Sequence, residues 1–197
     1  MNQLAGPPVR VVKLGGSLLD LADLADRLRR WLGEQPAAAN VLVVGGGRMA
    51  DVVRDFDRRH GLRSADAHWL AIAAMALNAR LVAALLPEAL WLESLLDNGI
   101  RDAPLSILNP ARFLREDEAA GSAGRLPMSW QATSDSIAAR AAELLAADEL
   151  VLLKSTSPPE PATVEVLLAA GYVDAFFAKA SGGVARVRYC NLRDGTS

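Results

Sequence analysis

Val41-Leu-Val-Val44 is an unbroken apolar run that stops at Gly45-Gly46-Gly47. A run with no polar alternation suits a strand buried on both faces, the condition of a parallel sheet covered by helices. The same punctuation occurs at Val9–Leu14, broken by Gly15-Gly16-Ser17, and a third run, Leu150–Leu153, ends at Lys154. Segments of helical length separate these runs. A helix is expected from about Leu18 to Leu32, with Asp20, Asp23 and Asp26 early and Arg27, Arg29 and Arg30 late, matching the helix dipole. Pro36 closes that region. Further helices are expected over Arg48–His60, Ser64–Leu86, Thr133 or Ser134 to Ala147, and Ala162–Ala169. Ala89–Leu92, Pro104–Leu108 and Val184–Tyr189 read as strands, with Asn98-Gly99 as a turn. The charged stretch 110–127, which contains Gly121 and Gly124, reads as a mobile surface loop or short helix. Repeated strand–loop–helix units of this kind imply an α/β layer fold with a mainly parallel sheet.

Composition narrows the function classes. The 197 residues suit one domain, and 51% of them are hydrophobic, enough to form a core. A net charge of −2, from 23 acids against 21 bases, argues against a nucleic-acid footprint or a polybasic membrane surface. Cys190 is the one cysteine, which excludes an intramolecular disulfide framework; with two histidines, no zinc-type ligand spacing exists. A reducing, cytoplasmic setting is expected, since Met1–Pro8 carries no basic targeting region. Trp69–Leu86 is long enough to test as a membrane span, but Asn78 and Arg80 interrupt it and basic flanks are missing. It is expected to be a helix buried nearly all round, partly against a second copy in a homodimer or higher homo-oligomer.

The chemistry gathers at the carboxyl ends of the buried strands, where open parallel sheets bind ligands. In Lys13-Leu-Gly-Gly-Ser17 the glycines let backbone N–H groups approach phosphate oxygens, and the strand lysine supplies a point charge. A tight turn with a solvated lysine would use the same residues, and the order differs from a Walker A loop because the lysine precedes the glycines. Gly45-Gly46-Gly47 costs backbone entropy and brings no packing, which points to an exposed main chain facing an anion, the alternative being a permissive turn. Asp135, in Thr133-Ser-Asp-Ser136, either offsets a helix dipole or orients lysine heads. Only three of the 21 basic residues are lysines (Lys13, Lys154 and Lys179), so each lysine position carries weight.

Taken in order, Lys-x-Gly-Gly-Ser, Val-Val-Gly-Gly-Gly, Thr-Ser-Asp-Ser-Ile-Ala-Ala and Leu-Leu-Lys-Ser-Thr resemble the amino acid kinase superfamily from Val9 to about Thr156. The resemblance implies a three-layer αβα sandwich, with the acceptor held by an N-terminal half (about 1–130) and ATP by a shortened C-terminal half (about 131–197). It implies catalytic roles for Lys13, Asp135 and Lys154, with Asp135 organising the lysines. Gly15, Gly16, Ser17, Ser134, Ser155 and Thr156 would contact the nucleotide and its transferred phosphate. Gly45, Gly46 and Gly47 would bind the acceptor, with Arg48, Asp51, Arg54 and His68 in reach. ATP and Mg2+ would be required, and no protein metal site is expected. Leu152-Leu-Lys-Ser-Thr156 and the helix following Asp66 are most similar to uridylate kinase and its relatives that act on phosphorylated acceptors. Ala67–Met75, Ser129–Ala138 and the short length are most similar to the kinases that convert an aminomethylfuran-methanol phosphate to its diphosphate in methanofuran biosynthesis. A uridylate-type kinase and a non-catalytic nucleotide- or anion-binding paralogue are the alternatives. One departure stands out: the family's Gly-Gly-Met-x-x-Lys segment after the nucleotide strand has no counterpart, leaving Lys154, Lys179 or an arginine to supply the second cation.

Overall fold

The computed structural model describes residues 6–97, 99–120 and 124–194; Asn98 of the expected turn, and Gly121 of the expected loop, lie outside the described residues. Six strands, β1 (Val9–Leu14), β2 (Ala39–Val44), β3 (Leu90–Leu92), β4 (Leu105–Leu108), β5 (Glu149–Lys154) and β6 (Val187–Asn191), form one sheet in the order β3-β4-β2-β1-β5-β6. Every neighbouring pair is parallel. The helices are α1 (Leu24–Glu34), α2 (Gly47–His60), α3 (Ser64–Leu85), α4 (Pro110–Arg115), α5 (Asp117–Ala120), α6 (Ser134–Leu144), α7 (Val164–Ala169) and α8 (Phe177–Ala180).

Successive strand residues face opposite sides of the sheet. Val9, Val11, Val41, Val43, Leu150 and Leu152 join one core with Ile137, Ala138 and Ala141 of α6. Val12, Leu14, Leu42, Val44, Val151 and Leu153 join the other with Leu24, Leu28 and Trp31 of α1. The sheet is therefore covered on both faces, which is why its strands read as continuous apolar runs. From β1 the chain builds outward through β2 to one side, then crosses to β5 on the other. The switch in direction between β1 and β5 opens a crevice at their carboxyl ends.

The structure departs from the sequence reading in several places. The helix expected from Leu18 begins as a separate 3-10 turn over Gly16–Asp20, and α1 starts only at Leu24. Leu18 and Leu24 are buried in the same core, yet a spacing of six would put them on different faces of one straight helix, so the chain breaks between them. The stretch 110–127 is not a surface loop throughout: it holds α4, with Phe113 and Leu114 buried, capped where Asn109 Oδ1 accepts from the Ala111 N–H at 3.1 Å. The short α8, which buries Phe177, was not anticipated.

Helix α3 is not buried all round. Ile72, Met75, Ala79 and Val82 enter the cores, while Leu70, Leu77, Leu81 and Leu85 stand about half exposed along the opposite face. By length and composition alone this helix could cross a membrane; its inner face is instead part of both cores.

Candidate active site

The pleat that sorts the two cores also sets the site. Lys13 lies on the same face of β1 as Val9 and Val11, and Lys154 on the same face of β5 as Leu150 and Leu152. The register Leu14↔Leu153 brings both lysines to neighbouring strand ends. Helix α6 covers this face and presents Asp135 from its first turn. The Lys13 Nζ is 2.9 Å from Asp135 Oδ1, and the Lys154 Nζ donates to Asp135 Oδ2 at 2.8 Å. Lys13 and Asp135 are buried, at 4% and 5% exposure. One carboxylate between two ammonium groups leaves a net positive charge. A buried ion cluster of this kind is a costly way to add stability and an effective way to hold cations in place.

Burial alone would raise the Asp135 carboxyl pKa, but Lys13 and Lys154 together hold it below the usual carboxylate value. Lys154 is lowered to about 8, by desolvation and by repulsion from Lys13, against the pull of Asp135. Rising pH through about 8 strips the Lys154 charge in the folded protein, while the unfolded chain keeps its proton to near 10.5. This group's contribution to stability therefore rises across that window while its attraction for anions falls. ADP affinity is expected to drop above pH 8 in the wild type, with the break removed in Lys154→Met. Titration calorimetry at stepped pH checks it, and a wild-type affinity unchanged to pH 10 would count against a Lys154 that loses its charge near pH 8 beside the nucleotide.

Two residues that the sequence reading passed over hold this cluster. The Tyr172 carbonyl accepts from Lys154 Nζ at 2.7 Å, its ring lies 5.1 Å from the same ammonium, and its hydroxyl donates to the Thr156 carbonyl at 3.1 Å. The Asp174 carboxylate accepts from the Thr133 N–H and hydroxyl, both at 2.9 Å, from the Ser136 N–H at 3.0 Å and from the Ser136 hydroxyl. The cap of α6 is thus Asp174 rather than a side chain of Thr133 or Ser134, and it fixes the turn that carries Asp135. Lys179 lies elsewhere, with its ammonium 5.3 Å from the Phe176 ring, so Lys154 is the lysine that joins Lys13 at Asp135.

The glycine tips meet each other. A Cβ on Gly16 would lie 2.1 Å from the Gly47 nitrogen, and one on Gly47, at φ +49°, would lie 2.7 Å from the Gly16 carbonyl oxygen. Two tips can touch main chain to main chain in this way only if both are glycine. The outer glycines serve the sheet: the Gly15 N–H donates to the Leu153 carbonyl at 2.8 Å and the Gly45 N–H to the Leu14 carbonyl at 2.9 Å. The Gly15 and Gly45 amides are thus taken up by the sheet. The Ser17 and Ser155 hydroxyls are hydrogen-bonded at 2.8 Å across the ends of β1 and β5, with Thr156 just beyond.

Beside the touching tips opens a cleft of about 250 Å³. Gly16, Ser17, Gly46, Gly47 and Ser134 form its polar side; Ala71, Ile72, Met75 and Ile137 form an apolar wall; Asp51, Arg54, His68 and Trp130 complete it. Arg54 is ion-paired with Asp51 at 2.6 Å and stacks 4.6 Å from the Trp130 ring, whose Nε1 donates to Asp57 at 2.8 Å. His68 is buried, which lowers its pKa and favours the neutral imidazole. Arg48 is not brought to this cleft. It lines a separate groove with Leu19, Met49 and Leu85, and pairs with Asp20 at 2.9 Å.

Fold and site together define an α/β protein with a glycine-lined cleft and a buried Lys–Asp–Lys cluster at the switch point of a parallel sheet. More particularly, the chain belongs to the amino acid kinase family, which it matches over residues 8–157. It is 29% identical over 147 residues to the [5-(aminomethyl)furan-3-yl]methyl phosphate kinase of Methanocaldococcus jannaschii, a match covering 73% of this chain and 64% of that kinase. Among solved structures it is similar to uridylate kinase from Archaeoglobus fulgidus (TM-score 0.57, 20% identity, 88% of this chain and 85% of that one). It is also similar to UMP kinase from Ureaplasma parvum (TM-score 0.60, 15% identity, 90% and 87%). Aspartate kinase from Synechocystis shares the fold as well (TM-score 0.63, 16% identity, 92% and 37%).

Proposed function

We propose that the protein transfers the terminal phosphoryl group of ATP to a small acceptor that already carries a phosphate, an aminomethylfuran-methanol phosphate being the acceptor best supported. The carrying observation is the Lys13–Asp135–Lys154 cluster beside touching glycine tips. An oxygen of the acceptor phosphate attacks the γ-phosphorus, the bond from that phosphorus to the β–γ bridging oxygen breaks, and ADP leaves with the electron pair. Ionised near neutral pH, that nucleophile needs no general base. Catalysis rests on positioning and charge neutralisation: Lys13 and Lys154 face the phosphates, while the Gly16, Gly46 and Gly47 amides hold attacking and transferred groups together.

The acceptor assignment draws on the name of the Methanocaldococcus relative and on the cleft itself. Ile72 and Met75 suit a small ring, and Asp51 suits an ammonium group. The acceptor would occupy the half up to about residue 130 and the nucleotide the half beyond it. Among the described residues no three His, Cys, Asp or Glu side chains converge as metal ligands, and Asp135 spends both oxygens on lysines. The residues present do not fit a resident magnesium site; the ion would enter on the nucleotide's own phosphates. ADP release measured over a panel of acceptors tests the reading. Turnover with the furan phosphate alone supports it, turnover with UMP moves the protein to the uridylate type, and ATP binding with no ADP release from any acceptor favours a non-catalytic paralogue.

The Leu70–Leu85 stripe of α3 is the proposed contact with a second copy. Leu77→Glu with Leu81→Glu is then expected to lower the mass seen by sedimentation, whereas an unchanged mass would remove α3 from any self-contact.

A further inference from the structure

Asn78 is an uncharged polar residue set into the apolar length of α3, one helical turn beyond Met75, and it is only 2% exposed. A side-chain amide in that position must find partners or bear the cost of lost hydration. Its Nδ2 donates to the Gly45 carbonyl at 2.9 Å and to the Gly46 carbonyl at 2.7 Å. Both carbonyls belong to the glycine tip of β2.

The consequence comes from peptide geometry. In a trans peptide the C=O and the N–H of the same plane point in opposite directions. Drawing the Gly45 carbonyl towards α3 turns the Gly46 N–H away from it, and drawing the Gly46 carbonyl does the same to the Gly47 N–H. Glycine at three successive positions gives the tip no side chain to choose between peptide orientations. The Ala50 N–H, opening α2, donates to the Gly46 carbonyl at 3.1 Å, and Asn78 is the anchor from outside the tip that grips both carbonyls. Gly46 and Gly47 line the cleft, whereas Asn78 does not; it lines the groove behind them.

We infer that Asn78 is a positioning residue: by holding the two carbonyls it aims the Gly46 and Gly47 N–H groups at an anionic group of the acceptor. Asn78 touches no ligand itself and acts through the main chain. The role rests on the anion-binding reading of the cleft given above, and pyrophosphate alone, without nucleotide or acceptor, serves as the probe.

In 15N-labelled protein, pyrophosphate is expected to shift the Gly46 and Gly47 amide resonances of the wild type. In Asn78→Ala the affinity should fall about tenfold or more and those two shifts should shrink, with the resonances of β1, β5 and α6 unmoved. Asn78→Asp keeps the size of the side chain but sets a carboxylate against two carbonyls, and should weaken binding further. Variants that bind as the wild type does, with the same two amide shifts, overturn the role of Asn78 while leaving the anion site intact. A wild type whose glycine amides ignore pyrophosphate overturns the anion site as well. Should neither variant fold, the wild type still decides, because two donated bonds must protect the Asn78 side-chain amide protons from solvent exchange. Free exchange of those protons would contradict the assignment.

Discussion

Asp135→Asn is expected to abolish most phosphoryl transfer while leaving a folded but weakened protein. The substitution keeps the size of the side chain and removes the charge that lies between two buried ammonium groups. Lys13 and Lys154 then repel each other with nothing between them, and Lys154, already lowered to about 8, would shed its proton more readily. Removing one member of a buried ion pair costs about 3–5 kcal/mol of stability. Misplacing a preorganised charge at a reacting centre costs about 10²–10³ in kcat. Nucleotide affinity should fall much less than turnover, because the role proposed for Asp135 is to hold the two lysine heads during transfer. Single-turnover kinetics and ADP titration on the same preparation separate the two, and equal losses in both would mean that Asp135 serves binding rather than transfer.

Gly16→Ala is expected to have the second large effect. The added methyl would fall 2.1 Å from the Gly47 nitrogen and 2.5 Å from its Cα, a collision with main chain that no side-chain rotation relieves. The two strand tips must separate, which carries Gly46 and Gly47 away from Ser17 and Lys13. Activity should drop to background, and stability should fall by about 1–3 kcal/mol, as for other forced overpacking. Gly33→Ala is the internal control. Its Cβ would meet nothing within 4 Å, and the position lies in α1, so a gain of about 0.5–1 kcal/mol is expected with unchanged turnover. Thermal melts and ADP release on both variants check the pair. A Gly16→Ala enzyme of wild-type activity would show that the tips do not need to touch.

Much of this was legible before any coordinates, for a physical reason. Strands buried on both faces must be apolar throughout, so β1, β2 and β5 announced themselves, and with them the strand ends where Lys13, Gly47 and Lys154 stand. The family resemblance then joined Asp135 to the lysines, and the cluster at that position fits it. What stayed hidden depends on long-range geometry. Asp174 caps α6 from 38 residues away along the chain at Ser136, and no local pattern marks such a partner. The loss of the Gly15 and Gly45 amides to the sheet depends on strand register, which composition does not reveal. Arg48 directly follows the glycine tip yet lines the neighbouring groove and pairs with Asp20, because each helix residue is turned about 100° from the one before it. Asn78 did leave a trace, as an amide in an apolar helix, but only the coordinates show that its partners are the glycine carbonyls.

A crystal structure with a non-hydrolysable ATP analogue bears most directly on whether the touching strand tips cradle a polyanion. The terminal phosphates should lie at the ends of β1 and β5, within hydrogen-bonding distance of Lys13 Nζ and the Gly16 N–H, with Lys154 on the neighbouring oxygens. Phosphates seated away from both lysines, with the glycine tips untouched, would contradict it.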